Sequence, residues 1–274
     1  MNKIDSRILS SKEGSMALSY DGYIFDLDGT IYLGDTLFPN SHRTLRALRE
    51  AGKRTVFLSN NPTKTREQYA EKLNALDIPV TADEIVNSSY VMVQRMRELA
   101  PNGTVYVLGE AALIGELEEA GFTISEDPEK ISYVIASFDR TLVYHKLQVA
   151  FDAIRAGARL IATNADRYCP VPGGGQPDAA AIIAALEACT GTTCDEVVGK
   201  PSATMANTIL ELLQLPAERC IMVGDRLETD ILMGQQAGMA TAFVLTGAST
   251  LEDLAALEQQ PTYVMPDISG LLTV

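Results

Sequence analysis

Tyr23-Ile24-Phe25-Asp26-Leu27-Asp28-Gly29-Thr30 is the stretch on which the fold turns. An apolar run of strand length ends in two carboxylates and a Gly-Thr turn. It is apolar throughout rather than alternating, as a strand covered on both faces must be. Working outward, Tyr23–Leu27 is joined by similar runs at Thr55–Leu58, Val105–Leu108, Tyr133–Ala136, Leu160–Ala162, Cys220–Val223 and Thr241–Leu245. Segments of helical period lie between them. In Thr65–Leu76 the apolar Tyr69, Leu73 and Leu76 share a face, and Thr65 with Gln68 has capping-box spacing. In Ser202–Leu215 a Ser N-cap precedes Met205, Ile209 and Leu212, and Arg226–Ala237 runs into Gly238, a helix-ending residue. Strands alternating with helices predict the α/β class with a parallel sheet. The Gly/Pro-rich stretch Cys169–Asp178 reads as a loop, and Glu116-Leu117-Glu118-Glu119 as a solvated helix face.

Composition narrows the function. The chain has 274 residues, with 22 Lys and Arg against 36 Asp and Glu, a formal charge of −14. A field of that sign repels nucleic-acid backbones and anionic lipid, so neither nucleic acid nor membrane is an expected partner. A small anionic substrate stays compatible, because a local cation or helix N-terminus outweighs the global field. At 46% hydrophobic and 21% charged, the chain is composed like a folded protein. No apolar run approaches the roughly 18 residues of a membrane span. Residues 1–19 lack an apolar stretch and read as a leader, not a secretory signal. Cys169, Cys189, Cys194 and Cys220 form no CxxC pair, and the two His, His42 and His145, are far apart. That spacing argues against zinc and against a disulfide framework, and places the chain in a reducing cytoplasm.

Four polar clusters follow apolar runs: Asp26 to Thr30, Ser59-Asn60-Asn61, Gly199-Lys200-Pro201, and Gly224-Asp225 with Asp230 five residues on. Ligands of open parallel sheets bind at the carboxyl ends of strands, so the four clusters are expected to converge. Asp26, Asp28 and Asp225 crowded together need a compensating cation. Hard oxygen donors without His or Cys select Mg²⁺, which also accepts a substrate phosphate. Lys200, Ser59, Asn60 and Asn61 supply a point charge and neutral donors for phosphoryl oxygens. An Asp can carry phosphorus as an aspartyl-phosphate, and a carboxylate two residues on can act as general acid and base.

In order and spacing, DLDGT at Asp26–Thr30, SNN at Ser59–Asn61, GKP at Gly199–Pro201 and GDRLETD at Gly224–Asp230 resemble the four motifs of the haloacid dehalogenase (HAD) superfamily phosphatases. The insert between the second and third motifs, with Ile161 to Asp166 inside it, is similar to the C2 cap of the NagD-type subfamily and most like that of its sugar-phosphatase members. The resemblance implies a Rossmann-like core, 20–87 plus 196–274, carrying an inserted α/β cap, 88–195. It implies Mg²⁺ on the carboxylates of Asp26 and Asp225 and the carbonyl of Asp28, with Asp230 one step back through water. Asp26 becomes the nucleophile and Asp28 the acid/base, while Ser59 and Lys200 hold the phosphate. Asp166, Arg167 and Tyr168 in the cap are the expected specificity residues. The expected partner is a small phosphorylated metabolite, a sugar phosphate ahead of phosphoglycolate, glycerol phosphate, a nucleoside monophosphate or pyridoxal phosphate. A homodimer through the cap is a further expectation.

Each cluster alone has a plainer reading. Asp-x-Asp after a strand is often a solvated turn, Asn60-Asn61-Pro62 a turn signal, and Asp225 a helix N-cap. Gly199-Lys200-Pro201-Ser202 lacks the spaced glycine of a P-loop, which excludes a nucleoside-triphosphate cradle. A receiver-type phosphoacceptor also gathers Asp and Lys, but is shorter and needs no acid two residues after its acceptor. A phosphotransferase differs from a hydrolase only in its acceptor, so the sequence leaves that choice open.

Overall fold

In the computed structural model, residues 19–272 are described, Pro172 excepted. They form two compact units, one of 19–59, 69–86 and 206–272, the other of 60–68 and 87–205. The expected leader lies outside the described residues but for Ser19. Two stretches assigned above to the core, 60–68 and 196–205, cluster with the second unit.

The first unit is built on one six-stranded sheet. Its order is Tyr263–Met265, Ala240–Val244, Cys220–Gly224, Gly22–Asp26, Arg54–Ser59 and Ile85–Asn87. Gly22–Asp26 pairs in parallel with Cys220–Gly224 on one side and Arg54–Ser59 on the other, so that Phe25 lies opposite both Val223 and Phe57. Both Gly22–Asp26 and Cys220–Gly224 are buried at every position, which is why their sequences do not alternate. Tyr23, Phe25 and Phe57 stack along one face at centroid separations of 6.3 and 6.1 Å. Leu45 and Leu48 of the helix Ser41–Glu50 and Leu73 of Arg66–Ala75 join them in the core. The chain runs outward from Gly22–Asp26 in one direction and returns on its other side as Cys220–Gly224. Strand order therefore reverses between these two, and a ligand crevice opens at the carboxyl ends beside such a reversal.

The second unit has its own five-stranded parallel sheet, ordered Glu196–Val197, Arg159–Ala162, Tyr133–Ala136, Thr104–Leu108 and Thr123–Ile124. Val134 and Leu160 pack against Ala150 and Ala153 of Tyr144–Ala156 and Ile182 and Leu186 of Ala179–Thr190. Asp178 caps the latter helix, its Oδ1 accepting the Ala179 amide at 2.6 Å.

All seven expected strands are present, with ends moved by a residue, and Thr65 and Gln68 form their reciprocal pair at 2.9 and 3.3 Å. Three expectations are corrected. Cys169–Asp178 is not a loop: Tyr168–Val171 pairs antiparallel with Gly174–Pro177. The Tyr168 ring covers Gly175 so closely that a Cβ there would come within 2.6 Å of it, and this packing compensates for the poor strand propensity of glycine. Arg226–Ala237 is not one α-helix but a π turn, Leu227–Ile231, followed by Leu232–Gln236. Glu116 is not solvated like Glu118 and Glu119: its Oε1 is buried without a hydrogen-bond partner, and burial, then Glu67, push its carboxyl up to about 7. Among the described residues no helix is long and apolar enough to cross a membrane.

Candidate active site

Three carboxylates meet at the sheet reversal of the first unit. Asp26 ends its strand and Asp225 follows the last residue of Cys220–Gly224. Asp26, Asp225 and Asp230 each present an oxygen within 4.8 Å of the others, and all three are buried. Asp225 is tightly held. The Ala248 amide donates to its Oδ2 at 2.6 Å and the Thr30 hydroxyl to its Oδ1 at 3.4 Å. Gly29, at φ +95°, passes so near that a Cβ would stand 2.5 Å from Oδ2, and a Cβ at Gly247 would overlap the carboxylate. Asp230 is aimed back by the π turn. The Arg226 carbonyl accepts from the Ile231 amide, five residues on, at 3.2 Å, and Asp230 Oδ2 accepts the Arg226 amide at 3.1 Å. The Asp230 side chain lies directly against the α-carbon of Gly224, leaving no room for a side chain there. Its carboxylate thus stands level with the other two.

Asp28 lies in the turn beyond the strand rather than on it. The Leu27 carbonyl accepts the amides of Thr30, Ile31 and Tyr32 at 3.2, 2.9 and 3.3 Å, which curls the chain and leaves Asp28 exposed, outside the carboxylate cluster. Tyr32, which bridges back to Asp28, is fully buried. Burial above all, then Asp28, Tyr69 and Asp26, push its phenol far above the ordinary tyrosine range. Lys72 Nζ sits 3.7 Å from its ring centroid. Ser59, at the end of Arg54–Ser59, shares a hydrogen bond of 3.0 Å with the Tyr69 hydroxyl.

In the second unit, Asn60 ties three segments together. Its Oδ1 accepts the Lys200 amide at 2.8 Å and its Nδ2 donates to the Lys200 carbonyl and to both Asp166 oxygens at 3.3 Å. Its carbonyl accepts from Ser88 Oγ at 2.6 Å and Asn164 Nδ2 at 3.0 Å. Gly199 must be glycine, since a Cβ would meet the Thr163 carbonyl at 2.5 Å. Lys200 is buried in this knot. Asn61 closes a local turn, its Oδ1 accepting from the Thr63 amide at 2.9 Å and hydroxyl at 2.7 Å. Arg167 and Tyr168, with Gly174, Gly175 and Pro177, line an open hollow of about 550 Å³. Asp166 contacts Asn60.

Tyr32, Gly247 and Ser88 escaped the sequence reading, and Asn164 was read only as part of the stretch Ile161 to Asp166. Gly247 had a signal, because Thr246-Gly247-Ala248 is a fifth small polar turn after a strand. No local pattern tied Asn164 or Ser88 to Asn60, which is 104 and 28 residues away.

Comparison with known proteins agrees with this architecture. A family profile described as haloacid dehalogenase-like hydrolase matches residues 23–123, and one described as HAD-hydrolase-like matches residues 197–271. The chain is 37% identical to Sugar-phosphatase AraL of Bacillus subtilis over 265 residues, 97% of this chain and 96% of that one. It is 36% identical to the acid sugar phosphatase of Staphylococcus haemolyticus over 251 residues, 92% and 95% of the two chains. The solved 4-nitrophenylphosphatase of Thermotoga maritima superposes with a TM-score of 0.90 at 36% identity, covering 95% of this chain and 99% of that one. NagD of E. coli K-12 follows at 0.85 and 31% identity, covering 92% and 98%. The chain therefore belongs to the haloacid dehalogenase-like hydrolase family, in its NagD-type phosphatase branch.

Proposed function

We propose that this phosphatase hydrolyses sugar phosphates with Mg²⁺, through an aspartyl-phosphate on Asp26. The observation that carries the reading is the buried trio Asp26, Asp225 and Asp230, with oxygens within 4.8 Å of one another. Three carboxylates that close repel unless a cation joins them, and an all-oxygen donor set suits Mg²⁺. Asp26, Asp225 and Asp230, with the Asp28 carbonyl, would hold it. When bound, Mg²⁺ neutralises the carboxylates and polarises phosphoryl oxygens.

The protein residues take the remaining work. An Asp26 oxygen attacks phosphorus as the ester bond to the alcohol breaks, and Asp28 gives its proton to the departing oxygen. Asp28 then takes a proton from the water that displaces Asp26 and releases phosphate. Ser59 and Lys200 are assigned to the phosphate by their motifs. Asn60 is assigned to fixing the Lys200 backbone. We assign the first unit as the catalytic core and the second as the cap, with Arg167 and Tyr168 as its specificity residues. The sugar assignment draws on the named activity of the relatives in Bacillus and Staphylococcus. Four cysteines that form no disulfide among the described residues support a reducing cytoplasm, and the exposed Leu142, Val143 and Tyr144 support a homodimer through the second unit.

The test is a panel of phosphorylated metabolites with Mg²⁺ and water as sole acceptor. Phosphate release led by sugar phosphates, and abolished in Asp26→Asn, is the expected result. Preference for pyridoxal phosphate or a nucleotide would remove the sugar assignment, and an active Asp26→Asn the mechanism.

A further inference from the structure

We propose that the Tyr32 hydroxyl is a positioning donor for the Asp28 carboxyl group, aiming the proton that Asp28 gives to the leaving alcohol. The inference rests on the reading of Asp28 as acid and base and adds to it a residue that no motif assigns.

The starting point is an anomaly. Tyr32 is wholly buried, and its hydroxyl has no hydrogen-bond partner of good geometry. Burying an unpaired hydroxyl costs about 1–3 kcal/mol, and phenylalanine would fill the same space without that cost. An orphaned polar group in a folded protein calls for a specific reason. Here the neighbours supply one. Burial aside, the groups whose charge acts on the phenol are Asp28, Tyr69 and Asp26, and Asp28 alone acts on it as a hydrogen-bond partner as well, short of good geometry. Tyr69 already bonds Ser59 at 3.0 Å, and Asp26 belongs to the carboxylate cluster. Asp28 is left as the natural acceptor, and hydrogen bonds in catalytic sites commonly tighten only when substrate binds.

The phenol is itself held firmly. The Tyr32 carbonyl accepts the Gly29 amide at 2.8 Å, tying Tyr32 to the same turn that carries Asp28. Lys72 covers its ring at 3.7 Å and reaches Asp35 at 3.9 Å. Asp28, by contrast, is exposed on that turn. An acid that must reach one oxygen atom needs a supporting group to aim it. Tyr32 donates to one oxygen of Asp28 and leaves the other for the bridging oxygen of the ester. Its own proton stays on the phenol throughout. The proton that moves goes from Asp28 to the alcohol and returns to Asp28 from water.

Tyr32→Phe tests this, because it keeps the ring and its cation–π contact and deletes only the hydroxyl. The full chain is assayed with an alkyl phosphate, glycerol phosphate, and with p-nitrophenyl phosphate, beside Asp28→Asn and the double variant. Melting temperature should stay level or rise. The rate of alcohol release in a single turnover, which reads the step before water enters, should fall about tenfold on glycerol phosphate with half-saturation unchanged, a fraction of the 10²–10⁴ typical of general acid catalysis. On p-nitrophenyl phosphate, whose leaving group needs little protonation, the fall should stay under about threefold. The double variant should be no slower than Asp28→Asn. If Asp28→Asn spares p-nitrophenyl phosphate while Tyr32→Phe changes neither substrate, or both equally, the inference is overturned and the reading of Asp28 stands. If Asp28→Asn slows single-turnover release of the leaving group equally on both substrates, the reading of Asp28 as the acid falls, and the inference with it.

Discussion

The Asp225 carboxylate occupies the space that a side chain at Gly247 would fill. This makes Gly247 as necessary to the carboxylate cluster as the donors Ala248 and Thr30. Gly247→Ala is expected to displace the carboxylate, destabilise the fold by about 1–3 kcal/mol through overpacking, and abolish most activity. Gly115→Ala is the control. It lies inside the helix Ala111–Glu119 with open space around it, and is expected to stabilise by about 0.5–1 kcal/mol with activity unchanged. Denaturant unfolding and p-nitrophenyl phosphate turnover of the two variants check the pair. A tolerant Gly247→Ala would show that Asp225 does not need its present position.

Removal of divalent ions is expected to stop turnover, and Mg²⁺ to restore it better than Ca²⁺. Calcium takes more ligands in looser geometry and would misplace the attacking Asp26. Because Asp230 stands beside Asp26 and Asp225, Asp230→Asn is expected to raise the Mg²⁺ concentration for half activation by roughly 10–100-fold. Metal titrations of activity decide this, and equal rescue by Ca²⁺ would contradict the assignment of these carboxylates to Mg²⁺.

Glu116 makes stability depend on pH. Its carboxyl is raised from 4.5 to about 7 by burial, then Glu67 and Glu119, against the opposing Arg66 and Asn87. The folded state thus binds the proton more tightly than the unfolded state. The associated stabilisation is fully present below about 4.5 and is lost as pH rises through about 7. Glu116→Gln, neutral at every pH, is expected to flatten the fall in melting temperature over that window and to exceed the wild type above it. Parallel slopes in the two proteins would place the charge in solvent.

What the sequence made legible follows from burial. Gly22–Asp26 and Cys220–Gly224 stood out because strands covered on both faces have no polar positions. Ile85–Asn87 and Tyr263–Met265 passed unread, being three-residue strands at the two edges of the sheet, too short for any period. The hairpin at Tyr168 was hidden because its pairing is made by the backbone of glycines and prolines. The carboxylates Asp26 and Asp225 were legible as strand ends. The placement of Asp230 was not, since the π turn that carries it, in which the Arg226 carbonyl accepts both the Asp230 and the Ile231 amides, has no signal in the local pattern. The Asn60–Lys200 bond spans 140 residues, and no local pattern encodes it.

Asn60→Ala tests that bond. It removes the acceptor of the buried Lys200 amide and the donor to its carbonyl, at a cost of about 1–3 kcal/mol. If Asn60 serves to hold Lys200 in place, inorganic phosphate should inhibit the variant more weakly and KM should rise for every substrate tested. Unchanged phosphate inhibition in a destabilised variant would restrict Asn60 to a structural role.

The last prediction separates recognition of the phosphoryl group from recognition of what it is attached to. In the proposed mechanism the carboxylates of the first unit act on the phosphoryl group whatever its ester. The same proposal assigns selectivity to the second unit, where Arg167 and Tyr168 line an open hollow with glycines and Pro177. A guanidinium and a phenol on a glycine hairpin suit a hydroxyl-rich group better than an apolar ring. Tyr168 has a structural duty as well, covering Gly175 across the hairpin, so its removal tests two things at once. Arg167→Ala leaves that packing intact, and Tyr168→Phe keeps the ring over Gly175 while deleting the hydroxyl. Both single variants, and Arg167→Ala combined with Tyr168→Phe, are expected to reorder kcat/KM across a panel of sugar phosphates. The rate on p-nitrophenyl phosphate, which has no hydroxyls to read, should change less than about threefold, within the loss of one weak contact. A panel ranked as in the wild type would remove the hairpin from substrate selection and leave it the work of folding the second unit.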